Sequence, residues 1–234
     1  MRIEGSVALV TGANRGFGRQ LTEQLVARGA AKVYAAARKP ETITTAGVVP
    51  IRIDITDPAS VAAAAAAATD VNLLINNAGT SSSNGLLTGP LDDIREQMEI
   101  HYFGTLTVTR AFAPYLRANA PAAILNVLSV LSWVHPANFG AYSAAKAAEW
   151  AQTDVVRDEF APSGVAVTAL HVGFMDTDMA AHVDAPKQDP AAVAAAALDG
   201  VENGLVEVLV GDRTRQVKAG LAADRGAVTP AQHN

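Results

Sequence analysis

The sequence predicts an α/β fold: a doubly wound parallel sheet of about seven strands with helices on both faces. Three observations predict it. Short β-branched runs alternate with helix-length segments along the chain. Those runs are apolar on both faces, as strands covered by helices on both sides must be. A cluster of glycines, Gly12, Gly16 and Gly18, lies where the first run gives way to the first helical segment. Right-handed crossovers between parallel strands then build the layers.

The first strand reads as Val7 to Thr11, followed by an amphipathic helix from Gly16 to Gly29. Lys32 to Ala37 and Val49 to Ile53 form the second and third strands. Asp57-Pro58 is a helix-start signal, so Pro58 to Ala68, with its alanine run, reads as a closely packed helix. A strand from Val71 to Asn76 precedes one long helix, Leu91 to Arg117. The strand Ala122 to Ser129 feeds the helix Ala141 to Phe160, and the strand Val165 to His171 precedes the helix Asp189 to Val201. Leu205 to Val210 is the last strand. Residues 1–221 read as a single domain without internal repeat, and 222–234 as a loose tail of small and polar residues.

Composition narrows the function. A chain of 234 residues, 50% hydrophobic, can bury a substantial core. The apolar runs Val61 to Ala68 and Ala191 to Leu198 are too short to span a bilayer, and Met1 to Val10 lacks the apolar core of a secretory signal. The expectation is a cytoplasmic protein with no membrane and no export. Zero cysteines exclude disulfides, thiolate nucleophiles and thiolate metal sites. The net charge of -5 gives no sign of a nucleic-acid surface. Asp176 and Asp178 have no accompanying histidine constellation, so no metal is assigned.

Two segments carry chemistry. In VTGANRGFGRQL, glycines between strand and helix let the backbone approach a phosphate, and the helix N-terminus presents unpaired amides to it. A glycine cluster of this kind also occurs in plain tight turns. The second segment holds Ser129, Tyr142 and Lys146. Tyr142 and Lys146 are four residues apart on a helical stretch, so both project from one face. An ammonium one turn away pulls a phenol below its ordinary pKa of about 10, toward a useful proton donor. Chance also places a tyrosine and a lysine at this spacing on many helices.

Taken together, the motifs resemble the short-chain dehydrogenase/reductase family, whose domain is a Rossmann fold, from Val7 to about Val210. TGANRGFG at Thr11 to Gly18 is similar to its cofactor loop, NNAG at Asn76 to Gly79 to its sheet-stabilising turn, and Ser129, Tyr142 and Lys146 to its catalytic set. The intervals of thirteen and four residues within that set also fit. The resemblance implies an NADP(H)- or NAD(H)-dependent oxidoreductase acting on a small-molecule carbonyl or alcohol. Tyr142 would be the general acid/base, Ser129 would hold the substrate oxygen, and Lys146 would lower the tyrosine pKa and bind the nicotinamide ribose. It further implies a homodimer or homotetramer, with Trp150 on the helix that pairs in dimers.

One departure stands out: the family places asparagine three residues before a helix glycine, where it holds a water linking the lysine to solvent. Here MEIHYFG puts His101 before Gly104. Histidine can bond a water and titrates near neutrality, so His101 is expected in the relay or as a packed structural residue. The family's Pro-Gly pair after the sixth strand is Val172-Gly173 here.

Cofactor choice follows from charge. An NAD-selective site has an acid after the second strand, whereas a 2'-phosphate needs cations. This chain has Arg38 and Lys39 there and Arg15 in the glycine loop, so NADP(H) is expected. Gly12, Asn14, Arg15, Gly16, Phe17, Gly18 and Arg38 would bind the phosphates, Asp54 and Ile55 the adenine, and Asn77, Ala78 and Gly79 the adenosine side. Gly173, Met175 and Thr177, with Tyr142 and Lys146, would hold the nicotinamide end. Trp133, His135, Phe139, Phe174 and Met179 are expected to line a mostly apolar substrate pocket. The alternative is a protein of the same fold that binds NADP(H) without turnover, as a sensor or interaction module.

Overall fold

A computed structural model describes residues 1–223; the part of the expected tail from residue 224 onward lies outside the described residues. The strands are β1 (Val7–Thr11), β2 (Lys32–Ala37), β3 (Val49–Arg52), β4 (Leu73–Asn76), β5 (Ala123–Val127), β6 (Ala166–Val172) and β7 (Glu207–Val210). They form one parallel sheet in the order β3-β2-β1-β4-β5-β6-β7. The order reverses direction between β1 and β4, and a crevice opens there at the carboxyl ends of the strands.

Helices α1 (Gly16–Ala27), α2 (Pro58–Ala67), α3 (Leu91–Met98), α4 (Thr105–Ala118), α5 (Gly140–Phe160), α6 (Pro190–Glu202) and α7 (Asp212–Ala219) cover the sheet and its edge. Side chains alternate along β1: Ala8 and Val10 face one core with Leu21 and Leu25 of α1 and Leu198 of α6. Leu9 faces the other, with Val61 of α2, Phe112 of α4 and Val156 of α5. Burial of each large apolar side chain stabilises the fold by roughly 1.5–3 kcal/mol against leaving it in water. Asp57 caps α2 by accepting from the Ala59 amide at 3.0 Å, and Asp189 caps α6 through the Ala191 amide at 3.1 Å. Among the described residues no helix is long and apolar enough to cross a membrane.

Two expectations are corrected. The segment expected as one helix, Leu91 to Arg117, is broken by a π-helical stretch, Glu99–Gly104, between α3 and α4. Gly104 is needed there, since a Cβ would meet the Ile55 side chain at 2.9 Å. Helix α7, which the sequence pattern left unassigned, packs against β7 and closes over Trp133 through Val217.

Candidate active site

The crevice is bounded on one side by the glycine loop. Gly12 has φ +66, and a Cβ there would lie 2.9 Å from the Ala78 Cα. A Cβ on Gly18 would lie 2.1 Å from the Gly12 carbonyl oxygen. These two glycines are therefore required by the loop's own packing. Gly16 differs: it has φ +52, and its nearest neighbour is Thr177, 3.8 Å from a built Cβ. Helix α1 starts from an extended Arg15 with no side-chain cap among the described residues, so the amides of its first turn face the crevice without a capping side chain. That uncapped, roomy helix start fits a dinucleotide phosphate. Phe17 turns its side chain into the core, which leaves its backbone as the part available to a ligand.

Neighbouring loops are tied to this one. Thr11 Oγ1 accepts from the Asn77 and Ala78 amides at 2.9 and 3.0 Å, and Asn77 Nδ2 donates to the Thr11 carbonyl at 2.8 Å. Asn14 donates to Thr42 Oγ1 at 3.1 Å, which fastens the loop after β2. Arg38 and Lys39 are exposed at the end of β2, and Arg15 is exposed with Nη1 3.9 Å from Asp178 Oδ2. Asp54 turns Oδ1 back to the Thr56 amide and hydroxyl, at 3.1 and 2.8 Å. Ile55 is half-buried beside Gly104. Gly173 has open space around it, and Met175 bridges to Gln188, closing the loop after β6 on itself.

Ser129 follows β5 and caps a short 3-10 turn: its Oγ accepts from the Leu131 amide at 3.1 Å. The hydroxyl acts on the Tyr142 phenol in the sense that favours the phenolate. Lys146 is buried, 5.9 Å from the Tyr142 ring centroid, and donates to the Val127 carbonyl at 2.8 Å and to Glu149 Oε2 at 2.6 Å. The structure thus brings together the three residues singled out for catalysis and adds Glu149. Its sequence signal was the first acid of that helix, seven residues after Tyr142 and three after Lys146, on the same face as both.

The expected depression of the tyrosine is corrected. Burial pushes the Tyr142 phenol up; Lys146 opposes this, but Glu149 adds to the rise and the balance lies above the ordinary tyrosine value. Lys146 is pulled down by burial yet held above its ordinary value by the charges of Glu149 and Tyr142, so it stays protonated.

His101, on the π-helical stretch, is buried and meets Tyr142 edge-on, ring centroids 5.2 Å apart. Its Nε2 donates to the Thr80 carbonyl at 2.8 Å, and Nδ1 lies 3.9 Å from Glu149 Oε2. Burial and the Lys146 charge hold it well below the usual imidazole range, so the ring is neutral at physiological pH. Nδ1 then carries a lone pair without a hydrogen-bond partner among the described residues.

Of the five residues expected at a substrate pocket, His135 alone lines a cavity near Tyr142. An apolar cavity of about 580 Å³ on the α5 turn that carries Tyr142 is lined by His135, Gly140 and Ala144, and by Leu86 and Leu87 from the loop after β4. Trp133 is instead buried, stacked on His171 at 3.8 Å, because α7 covers it. Phe139 and Phe174 pack on each other at 6.3 Å, and Met179 is exposed; none of the three lines that cavity. The leucines were legible as an apolar pair inside the polar run SSSNGLLTGP.

The model of the short chain dehydrogenase family matches residues 6–188. The 3-oxoacyl-(acyl-carrier-protein) reductase of Vibrio cholerae is 31% identical over 188 residues, covering 76% of this chain and 77% of its own. A short chain dehydrogenase from Burkholderia cenocepacia J2315, solved in complex with NADP, superposes with TM-score 0.94 at 44% identity over 97% of each chain. Another from Burkholderia phymatum, in complex with NAD, gives TM-score 0.82 at 26% identity over 94% of this chain and 93% of its own. With the family model matching residues 6–188, well over half of its length, the chain belongs to the short chain dehydrogenase family.

Proposed function

We propose that this chain is an NADP(H)-dependent oxidoreductase that reduces a ketone or aldehyde to the alcohol, or runs the reverse reaction, with Tyr142 as general acid/base. The observation that carries the reading is the placement of Ser129, Tyr142 and Lys146 together at the carboxyl ends of β5 and α5's first turns, opposite an uncapped glycine-rich helix start. The reductase and the NADP complex among the relatives support it. The nicotinamide, when bound, supplies or takes up the two electrons exchanged with the carbonyl carbon.

The chain's own residues do the rest. Ser129 Oγ has one acceptor pair taken by the Leu131 amide, and its rotatable hydrogen can turn to a substrate oxygen beside the phenol. Tyr142 donates its proton to that oxygen, and the neighbouring Lys146 ammonium stabilises the phenolate left behind. Lys146 has used two of its three N–H donors internally, which leaves one for a ribose hydroxyl. Arg38 and Arg15 are the cations for a 2'-phosphate. Leu86, Leu87 and the carbon face of the cavity suit an apolar carbonyl compound.

The test is NADPH oxidation against a panel of aldehydes, ketones and quinones, with NADH in parallel and Tyr142→Phe as control. Turnover that falls by about a thousandfold in Tyr142→Phe, with cofactor affinity kept, is expected. Tight cofactor binding with no turnover on any member would favour the sensor reading, and substantial activity in Tyr142→Phe would remove the phenol from the mechanism.

A further inference from the structure

Tyr142, Lys146 and Glu149 stand at i, i+4 and i+7 on α5, so one helix face carries a phenol, an ammonium and a carboxylate. Both oxygens of the buried Glu149 are engaged: Oε2 with Lys146 at 2.6 Å, Oε1 with the Thr105 hydroxyl of α4 at 3.2 Å. The titratable groups facing it are Lys146 and Tyr142 from its own helix and His101 from the π-helical stretch. His101 spends its N–H on the Thr80 carbonyl, so its near nitrogen brings a lone pair toward the carboxylate and no positive charge. A buried ammonium left alone would act on the phenol at full strength; one held against a carboxylate acts as a dipole, whose field falls off faster.

We propose that Glu149 is a positioning residue that offsets the charge of Lys146, keeping Tyr142 in its proton-donating form to higher pH and thereby suiting the site to carbonyl reduction more than to alcohol oxidation. This rests on the role of Tyr142 proposed above. Burial raises both the Tyr142 phenol and the Glu149 carboxyl, and the charges act on top of it: Lys146 pulls both down, Glu149 pushes the phenol up, and His101 stays neutral and so does not restore the positive charge. A general acid must hold its proton at the working pH, whereas a general base for alcohol oxidation must have lost it.

Phenolate formation at Tyr142 can be followed by ultraviolet difference titration of the free chain. Each form is read against the same chain carrying Tyr142→Phe, which cancels the remaining three of the four tyrosines. Glu149→Gln and Glu149→Leu should each lower the Tyr142 midpoint by about one pH unit, and Glu149→Asp, which keeps the charge, should restore most of it. An unmoved or raised midpoint in a folded Gln or Leu variant would overturn the proposal. If neither variant folds, Glu149→Asp decides: its shorter side chain draws the charge back from Lys146, so a midpoint somewhat below that of the unsubstituted chain supports the proposal and an unmoved or raised one sinks it. With a turned-over substrate in hand, the alkaline fall of the reduction rate should move down by the same amount in Glu149→Gln. A uniform loss at every pH, with the midpoint unmoved, would mean a merely structural role and would count against the proposal. The titration needs no substrate, so its failure is distinct from a failure to reduce any carbonyl.

Discussion

The Gly79 Cα sits so close over the imidazole of His101 that a Cβ on it would lie 2.7 Å from the ring's Cε1. His101 in turn lies edge-on against Tyr142, so a shift of one ring is passed to the other. Gly79→Ala should therefore lower kcat by about tenfold in the unsubstituted chain. In a His101→Asn background, where the ring is gone, it should cost no more than about twofold. Steady-state kinetics on the four chains of this cycle measure the difference, and equal losses in both backgrounds would separate Gly79 from the phenol.

Arg38 is exposed directly after the carboxyl end of β2 and is followed by Lys39. Replacing it by Asp removes a cation and adds an anion where a 2'-phosphate would lie. The ratio of kcat/KM for NADPH over NADH should fall by at least about a hundredfold. A ratio unchanged within twofold would place the 2'-phosphate elsewhere.

His171 is fully buried, stacked on Trp133 with Nδ1 3.4 Å from the Ser129 carbonyl, and burial depresses its pKa to about 3. The sign follows directly. In the unfolded chain the imidazole takes a proton near pH 6.5, whereas the folded chain refuses it until about pH 3, so stability present above 6.5 is lost as the pH falls through that window. At pH 4.5 the loss from this residue is about 2–3 kcal/mol. His171→Phe should unfold in urea at a midpoint less sensitive to acid between pH 7 and 4.5. A parallel loss in both chains would clear His171 of that role.

Asn126 stands in the middle of a buried polar chain: Asn76 Nδ2 donates to its Oδ1 at 2.8 Å, and its Nδ2 donates to Thr153 Oγ1 at 2.9 Å. Asn126→Val removes one bond from each neighbour between β4, β5 and α5, leaving Asn76 Nδ2 its bond to Thr109 Oγ1 at 3.1 Å and the Thr153 hydroxyl its bond to the Glu149 carbonyl at 2.7 Å. The expected cost is about 1–3 kcal/mol of unfolding free energy in urea, the net worth of two hydrogen bonds. A loss under about 0.5 kcal/mol would mean that neighbouring groups re-pair.

Most strands and helices were legible because both faces of the central strands meet a core, which writes apolar runs into the chain; β3, at the sheet edge, is largely exposed. The serine, tyrosine and lysine proposed for catalysis were legible from their spacing together with the glycine loop and the NNAG turn, the resemblance deciding what spacing alone leaves open. What failed did so for a tertiary reason in each case. Trp133 reads as a pocket residue until α7 is known to lie over it, and the polar sequence of α7, Asp212–Ala219, carries little apolar pattern to announce it. The direction of the Tyr142 shift depended on burial, which local spacing does not record, and on Glu149, whose partner at Thr105 is 44 residues distant. Leu86 and Leu87 come to the cavity from a loop, where periodicity gives no orientation.

The π-helical stretch at Glu99–Gly104 has a consequence for the register of everything before it. An extra residue per widened turn advances the following residues by about 100° around the axis, so α3 and α4 present faces that a continuous α-helix would hold out of phase. Phe112 and Leu116 of α4 can keep their places in the core while His101 keeps its place against Tyr142. Removing a single residue from 99–104 would force a choice between the two. The helix could stay seated, or the imidazole could, and the length of that short stretch is thereby as constrained as its composition.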